Sequence, residues 1–208
     1  MYAPTPFTES RPEEFERIIR EYPLGMLVTH RASGLEADHL PFLFDAGHGR
    51  AGRLLAHVAR ANPVWQDVRD SDPVLVVFRG VDGYISPNWY PSKQETHRHV
   101  PTWNYEVVHA HGHIRVHDEE KFLRSVVGQL TRTHEARQPK PWRMADAPGD
   151  YLAEELTQIV GIEVELIRIE GTRKLSQNRE PRDFERTLLA LDACGKYELA
   201  EAMRKAKN

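Results

Sequence analysis

The sequence has little of what marks secreted, membrane-bound or disulfide-stapled proteins. Cys194 is the single cysteine among 208 residues, so no disulfide can form within the chain and a reducing, cytoplasmic location is expected. The first residues, MYAPTPFTES, lack the basic start and apolar run of a signal peptide. No apolar run is long enough to cross a bilayer, so we expect no membrane partner.

Neither sign of charge dominates. The 28 Lys and Arg residues against 31 Asp and Glu residues give a formal net charge of -3 at pH 7, which provides no footprint for nucleic acid or an anionic membrane. No helix-turn-helix pattern or basic stripe is visible, so the residues do not indicate direct DNA binding. The G-x-S-x-G pattern of a nucleophile elbow is also absent, which argues against a Ser-His-Asp hydrolase.

Hydrophobic periodicity predicts a mainly β protein with peripheral helices. Short strands joined by hairpins, without regular strand–helix–strand units, favour a closed or half-closed antiparallel barrel. The alternation is clearest over 108–116, where apolar residues alternate with histidines and an arginine. The predicted strands are 24–30, 35–44, 53–59, 74–78, 108–116 and 162–170, and the predicted helices are 10–21, 63–69, 118–138, 148–160 (ended by Gly161) and 181–205 (broken near Gly195).

The stretch from Tyr84 to Tyr105 least resembles ordinary scaffold. It contains two Trp, three Tyr and three Pro, interleaved with Ser, Asn, Thr and Lys. Aromatic faces supply contact area and polar neighbours fix orientation, so this composition suits a surface that stacks a flat aromatic ligand. A proline-stiffened loop whose aromatic side chains plug the end of a barrel accounts for the same residues. The residues alone leave both interpretations open.

Two segments carry the donors that an anion needs. His57–Pro63 ends a predicted strand where a helix begins, so Arg60 and the helix N-terminal amides could bind phosphate. The alternative is that Asn62 only caps the helix. Residues 172–179, reading TRKLSQNR, place three cations and four polar side chains around one leucine. That density of donors suits a phosphate or a flavin edge, although a run of charges is also typical of a solvated surface.

The histidines are concentrated in one region, since six of the 11 lie between His97 and His117. His109, His111 and His113 point to one face of a regular strand, so two of them could share a metal. Neighbouring positions on that face are about 7 Å apart, and no Cys or carboxylate pattern accompanies them. The polar face of an edge strand, or a contact between subunits, is therefore the favoured interpretation.

Eight segments in order along nearly the whole chain carry a family resemblance. They are MYAPTPF (1–7), ADHLPF (37–42), HVARANPVW (57–65), GYISPNWYPSK (83–93), VPTWNYEVVHAHG (100–112), DAPGDY (146–151), IVGIEVEL (159–166) and KLSQNR (174–179). Together they closely resemble the PaiB family, described as FMN-binding negative transcriptional regulators. The resemblance implies an FMN-binding split β-barrel like that of pyridoxamine-phosphate oxidases and flavin reductases, usually a homodimer with FMN between the subunits. We expect a split-barrel domain over 1–179 and a C-terminal helical tail over 180–208.

The resemblance also nominates residues for the cofactor. It gives the FMN phosphate to Arg60, with His57 and Asn62 as further candidates. It places Lys174, Gln177, Asn178 and Arg179 near the flavin, and Thr102, Trp103 and Asn104 at the flavin ring or the dimer contact. No catalytic residue or substrate follows, so whether the protein is an enzyme with flavin redox activity stays open. The alternatives are a haem- or metal-binding split-barrel protein and a regulator that binds DNA or protein without flavin.

Overall fold

The computed structural model describes residues 1–207, which form eight strands and seven α-helices. The strands are β1 (Thr8–Glu9), β2 (Leu24–Arg31), β3 (Gly34–Pro41), β4 (Leu43–Asp45), β5 (Arg53–Ala59), β6 (Pro73–Ile85), β7 (Thr102–His117) and β8 (Ile159–Lys174). The helices are α1 (Pro12–Glu21), α2 (Val64–Asp67), α3 (Pro91–Thr96), α4 (Glu120–Glu135), α5 (Gly149–Thr157), α6 (Pro181–Ala193) and α7 (Tyr197–Lys207). No helix in this part of the chain is long and apolar enough to span a bilayer.

The strands form an antiparallel sheet in the order β3-β2-β6-β7-β8-β5-β4, with β1 paired to β8. This α+β architecture confirms the predicted fold class. The residues group into two compact units. We call them the terminal unit (1–18, 79–108 and the chain from Glu170 onward) and the central unit (19–78 and 109–169). The predicted domain boundary between 179 and 180 stays a prediction.

The central unit contains the predicted hairpin. β2 and β3 pair from Leu24↔Pro41 to Arg31↔Gly34, and Gly34 has a φ of +116° at the turn, a conformation that glycine adopts without steric cost. β5 has the predicted bounds, and its Leu55 packs with Val126 and Leu130 of α4. The strand predicted over 35–44 is wrong in one respect, because it ends at Pro41 and a separate β4 then pairs with β5.

Gly161 has a different role from the predicted one. It does not end α5, which stops at Thr157; it lies inside β8, opposite His57 of β5. A Cβ atom at Gly161 would lie 2.6 Å from the ring of Phe122 in α4. Glycine is therefore required here because a helix packs closely on the strand, not because a helix ends.

The terminal unit includes α6 and α7, which are separated near Gly195 as predicted. Gly195 has a φ of +72°. The apolar faces of these helices are buried, and Leu199 of α7 lies 2.7 Å from the position of a Cβ atom at Gly83 of β6. The helices of the tail therefore pack against the start of the aromatic stretch.

A buried ionic cluster ties the N-terminal segment to β7 and β8 within the terminal unit. Glu106 of β7 is fully buried, and its Oε1 accepts from Arg17 Nη2 and Arg173 Nε, each at 2.7 Å. Arg173 also lies 3.1 Å from Glu14 and 3.3 Å from Glu9. Removing one partner would leave the others as uncompensated buried charges. We therefore expect single substitutions in this cluster to destabilise the fold strongly.

Candidate functional site

Lys174, the last residue of β8, lies beside Thr102, the first residue of β7. Its Nζ donates a hydrogen bond to Thr102 Oγ1 at 2.5 Å. An ammonium group carries three N–H donors, and this bond uses one of them. Burial, and then the positive charge of Arg179, lower the pKa of Lys174 below its ordinary value.

Arg179 follows in the loop that leads to α6. Its guanidinium carbon lies 4.8 Å from the centroid of the Tyr90 ring, and its Nη1 lies 3.3 Å from Nδ1 of His99. Tyr90 is 1% exposed, and its hydroxyl is buried without a hydrogen-bond partner among the described residues. Burial raises the pKa of this hydroxyl, so it remains a neutral donor.

Lys174 and Arg179, five residues apart in the chain, are two cations without a counter-ion among residues 1–207, and we call them the cation pair. No carboxylate within residues 1–207 makes an ion pair with either side chain. Two neighbouring positive charges repel each other, and an anion with several acceptor oxygens relieves that repulsion. In chemical terms, the arrangement is suited to a phosphate group.

The polar residues around this pair shape the turn over 174–179. Asn104 is fully buried, and its Nδ2 donates to Ser176 Oγ at 2.9 Å. Gln177 accepts from Leu175 N at 2.7 Å and donates to Arg173 O at 2.6 Å. Asn178 is exposed. The structure thus joins β7 to the 174–179 segment, with Asn104 and Gln177 bonded within the protein.

Trp103 lies on the other side of β7. Successive side chains of a strand point to opposite faces, so Trp103 faces away from Thr102 and Asn104. It is 54% exposed and contacts Tyr84 edge to face, with 6.2 Å between ring centroids. An open pocket of about 320 Å³ occurs here, lined by Arg79, Asp82, Trp103, Tyr105, Glu106 and Val107. This mostly apolar pocket fits a flat ring or a second protein surface.

Of the three nominated residues of the central unit, Arg60 and Asn62 are engaged by the protein itself. Arg60 donates to both carboxylate oxygens of Asp118 and to the carbonyl oxygens of Thr157 and Ile159. Asp118 raises the pKa of Arg60. Both ends of the Asn62 amide are bonded within the protein: Oδ1 accepts from Val64 N at 2.9 Å, and Nδ2 donates to Asp38 Oδ1 at 2.7 Å. The N-cap position of α2 is Pro63, so the predicted helix-capping role of Asn62 is wrong. A phosphate at this position would have to displace Asp118.

His57 is the exception in that group. Its ring is half-buried on β5, and Nδ1 is buried without a hydrogen-bond partner in residues 1–207. Burial lowers the pKa of His57, so the ring is neutral at ordinary pH. It offers hydrogen bonding but no charge to an anion.

The regularly spaced histidines divide between the units. His109 and His111 lie on the same face of β7 in the central unit, with ring centroids 6.3 Å apart. His113 is exposed on that face. His99 belongs to the terminal unit, where it contacts Tyr90, Ser92 and Arg179.

Several contacts at the cation pair were missed by sequence reasoning. Ser92 and Asp183 are both buried and hydrogen-bonded to each other, 91 residues apart in the chain. The sequence indicates Tyr90 only as one of several aromatic residues in the 84–105 stretch. The one available signal for Asp183 was an acidic residue in the first turn of a predicted helix, a position that normally indicates capping and not a buried partner.

Comparison with known proteins assigns the family. A family model described as "Putative FMN-binding domain" matches residues 1–168. The chain belongs to this family. FMN is therefore the cofactor of this family, in agreement with the resemblance to PaiB.

Relatives of this FMN-binding family support the assignment over most of the chain. Protease synthase and sporulation protein PAI 2 of Bacillus subtilis is 30% identical over 184 residues, which cover 88% of this chain and 86% of the relative. An uncharacterised protein of Emericella nidulans is 30% identical over 230 residues, covering 94% of this chain and 92% of the relative. The predicted resemblance to the PaiB family is therefore confirmed.

Solved structures confirm the predicted split-barrel fold. A conserved hypothetical protein of Mycobacterium tuberculosis superposes with a TM-score of 0.60 at 11% identity, over 86% of this chain and 94% of the other. The FAD and haem binding protein of Mycobacterium smegmatis gives a TM-score of 0.58 at 17% identity, over 80% of this chain and 73% of the other. At such identities the likeness concerns the fold alone.

The residues of the terminal unit fit FMN. A phosphate needs cationic donors, and Lys174 and Arg179 provide two that have no carboxylate partner among the described residues. Tyr90, whose ring lies against the Arg179 guanidinium, has a buried hydroxyl without a hydrogen-bond partner among residues 1–207. The family assignment and the local chemistry therefore agree.

Proposed function

We propose that this FMN-binding protein holds the cofactor phosphate with Lys174 and Arg179. The observation that carries the proposal is that neither cation has a carboxylate partner within residues 1–207, while the charge of Arg179 adds to burial in lowering the pKa of Lys174. Thr102 holds the Lys174 ammonium at the start of β7 through a hydrogen bond, and the Arg179 guanidinium packs on the face of the Tyr90 ring. Asn104 and Gln177 act by shaping the turn that carries both cations, and Asn178 is an exposed candidate contact to the cofactor.

The other phosphate candidates remain predictions of lower priority. Arg60 is neutralised by Asp118 and bonded to two backbone carbonyls, so an anion gains little net charge there. His57 offers a hydrogen bond without charge, and the amide of Asn62 is already bonded to Asp38 and Val64. An FMN phosphate carries close to two negative charges at neutral pH, and it favours sites where fixed positive charge is in excess.

We propose further that the functional form is a homodimer with Trp103 at the flavin ring. Support comes from the alternation of β7, which turns Trp103 away from the face that carries Thr102 and Lys174. In a homodimer, Trp103 of one copy can meet the flavin held by Lys174 of the other. The exposed rings of Tyr84 and Trp103, with the half-buried Tyr105 beside them, would then be covered.

The biological role follows from the family resemblance. We propose that the protein is a cytoplasmic negative regulator of transcription whose state depends on bound FMN. FMN would supply hydride or electron transfer, while this chain supplies cations for the phosphate and an aromatic surface for the ring. The similarity to protease synthase and sporulation protein PAI 2 of Bacillus subtilis supports the PaiB-type assignment on which this role rests. Contact with DNA, direct or through a protein partner, is part of this proposal and is tested by salt-dependent operator binding.

The first experiment identifies the ligand and its phosphate contact. Mass spectrometry of small molecules released on denaturation should find FMN, whereas a Soret band and released haem would overturn the proposal. Titrations with FMN and riboflavin, followed by flavin fluorescence, should show tighter binding of FMN, since riboflavin lacks the phosphate.

Lys174→Ala tests the contact directly. We expect it to weaken FMN about 10- to 100-fold, because a charged hydrogen bond contributes about 1.5 to 3 kcal/mol, and to leave riboflavin unchanged. Lys196→Ala, an exposed lysine of the same unit, is the matched control and should bind FMN normally. Equal affinities of the wild-type protein for FMN and riboflavin would contradict the phosphate site.

A further inference from the structure

A chain of hydrogen bonds leads from α6 to the Arg179 guanidinium. Asp183 in the first turn of α6 is 2% exposed. Its Oδ1 accepts from the backbone N–H of Ser92 at 3.1 Å, and its Oδ2 accepts from the Ser92 hydroxyl at 2.5 Å. Ser92 Oγ lies 2.7 Å from Nε2 of His99, and Nδ1 of His99 lies 3.3 Å from Nη1 of Arg179. The four side chains are thus linked in a single file.

The chemistry of the two ends fixes every proton in the file. A guanidinium group only donates, so His99 Nδ1 must accept from Arg179. An ionised carboxylate only accepts, so the single hydroxyl proton of Ser92 goes to Asp183. Nε2 of His99 must then carry the ring proton and donate it to Ser92 Oγ. The pKa of Asp183 agrees with this order: burial would raise it, but the hydrogen bonds from Ser92 lower it below its ordinary value.

The file restrains a side chain that would otherwise be mobile. Arginine has many rotamers, and each immobilised long side chain costs conformational entropy on binding. Arg179 is held at Nη1 by His99 and at its flat face by Tyr90, whose ring centroid lies 5.2 Å from that of His99. Its orientation is therefore set before any ligand arrives.

We propose that Asp183, Ser92 and His99 are positioning residues that hold the Arg179 guanidinium ready for the FMN phosphate. This inference rests on the proposed function, since it assigns Arg179 to that phosphate. It adds three residues that were not nominated as cofactor ligands: Ser92 and His99 belong to the aromatic stretch 84–105, whereas Asp183 lies outside every sequence motif. Asp183 lies beyond residue 168, where the match to the family model ends, so the tail takes part in the site.

His99→Phe is the sharpest variant. It keeps an aromatic ring against Tyr90 and leaves the bond between Ser92 and Asp183 intact, but it removes both ring nitrogens. We expect the dissociation constant for FMN to rise about tenfold, as for the loss of one hydrogen bond to a charged group. The constant for riboflavin should not change. His134→Phe, which alters an exposed histidine of α4, should change neither constant.

A second readout is independent of binding. Nitrogen-15 NMR of the ligand-free wild-type protein should show His99 as a neutral ring protonated on Nε2. Ser92→Ala, which cuts the file one step earlier, should weaken FMN as His99→Phe does and should disturb the Nε2 proton. If His99→Phe does not fold, Ser92→Ala and the tautomer decide the question.

The outcomes separate this inference from the proposed function. If Lys174→Ala weakens FMN selectively while His99→Phe and Ser92→Ala leave it unchanged, the positioning role is overturned and the phosphate site stands. Equal weakening of FMN and riboflavin by His99→Phe, or a ring protonated on Nδ1, would also overturn it. If the wild-type protein does not prefer FMN over riboflavin, the proposed phosphate site fails first and the inference fails with it.

Discussion

The buried carboxylate of Glu9 is predicted to make the stability of this protein depend on acidity. Burial by itself would raise the pKa of Glu9. The side chain and backbone N–H of Arg11, the backbone N–H of Ser10 and the side chain of Arg173 outweigh burial and lower the pKa from 4.5 to about 2. A difference of this size corresponds to about 3 kcal/mol in the free energy of unfolding.

The effect of pH on stability follows from the direction in which folding changes the pKa of Glu9. Because the pKa of Glu9 is lower in the folded state, its contribution is present in full above 4.5, the value in the unfolded chain, and is lost as the pH falls towards about 2. Glu9→Gln removes the charge and keeps the shape. We therefore expect it to lower the free energy of unfolding by about 3 kcal/mol near neutral pH and by less and less below pH 4.5.

Urea unfolding followed by tryptophan fluorescence measures this difference at several pH values. Glu95→Gln is the matched control, because Glu95 is an exposed carboxylate that pairs with the exposed Arg182, and exposed pairs contribute little to stability. A gap between wild-type and Glu9→Gln proteins that is absent, or that stays constant from neutral pH to about pH 3, would refute the reasoning.

Two further predictions concern packing and the phosphate site. In Gly112→Ala, the new Cβ would lie 2.3 Å from a backbone carbonyl oxygen of β8, so we expect a loss of about 1 to 3 kcal/mol in urea unfolding; Gly149→Ala, where the added atom meets nothing within 4 Å, should unfold like the wild type. Adding Arg60→Ala to Lys174→Ala should weaken FMN no further than Lys174→Ala alone, because Arg60 is already paired with Asp118; additive losses in the titration would restore Arg60 as a phosphate ligand.

The parts of the fold that follow from local pattern were predictable. The alternation over 53–59 defines β5 with its correct bounds, and the turn residues at 31–34 place the hairpin. Gly195 separates the two tail helices as its conformational freedom suggests. Each of these features depends on residues close together in the chain, so one sequence suffices to find them.

Features that depend on distant partners could not be predicted in the same way. Asn104 was assigned to the flavin ring or dimer contact from its surroundings, but its amide is buried against Ser176, 72 residues later. Arg173 belongs to a segment typical of a solvated surface, yet it is 3% exposed because Glu106 and Glu9 neutralise it. Burial of a polar group depends on a partner that periodicity does not reveal.

The contrast between Arg173 and its neighbour Lys174 gives the last prediction. Arg173 is neutralised by carboxylates. For Lys174, the positive charge of Arg179 adds to burial in lowering the pKa. A phosphate binds the charged form of the lysine, so bound FMN must raise the pKa of Lys174. At alkaline pH the Lys174 amine therefore takes up a proton when FMN binds. The affinity for FMN should therefore fall as the pH rises towards the ordinary lysine value of 10.5, and riboflavin, measured in parallel, corrects for ionisation of the flavin ring. An FMN-to-riboflavin affinity ratio that stays constant over this range would mean that the Lys174 ammonium does not meet the phosphate.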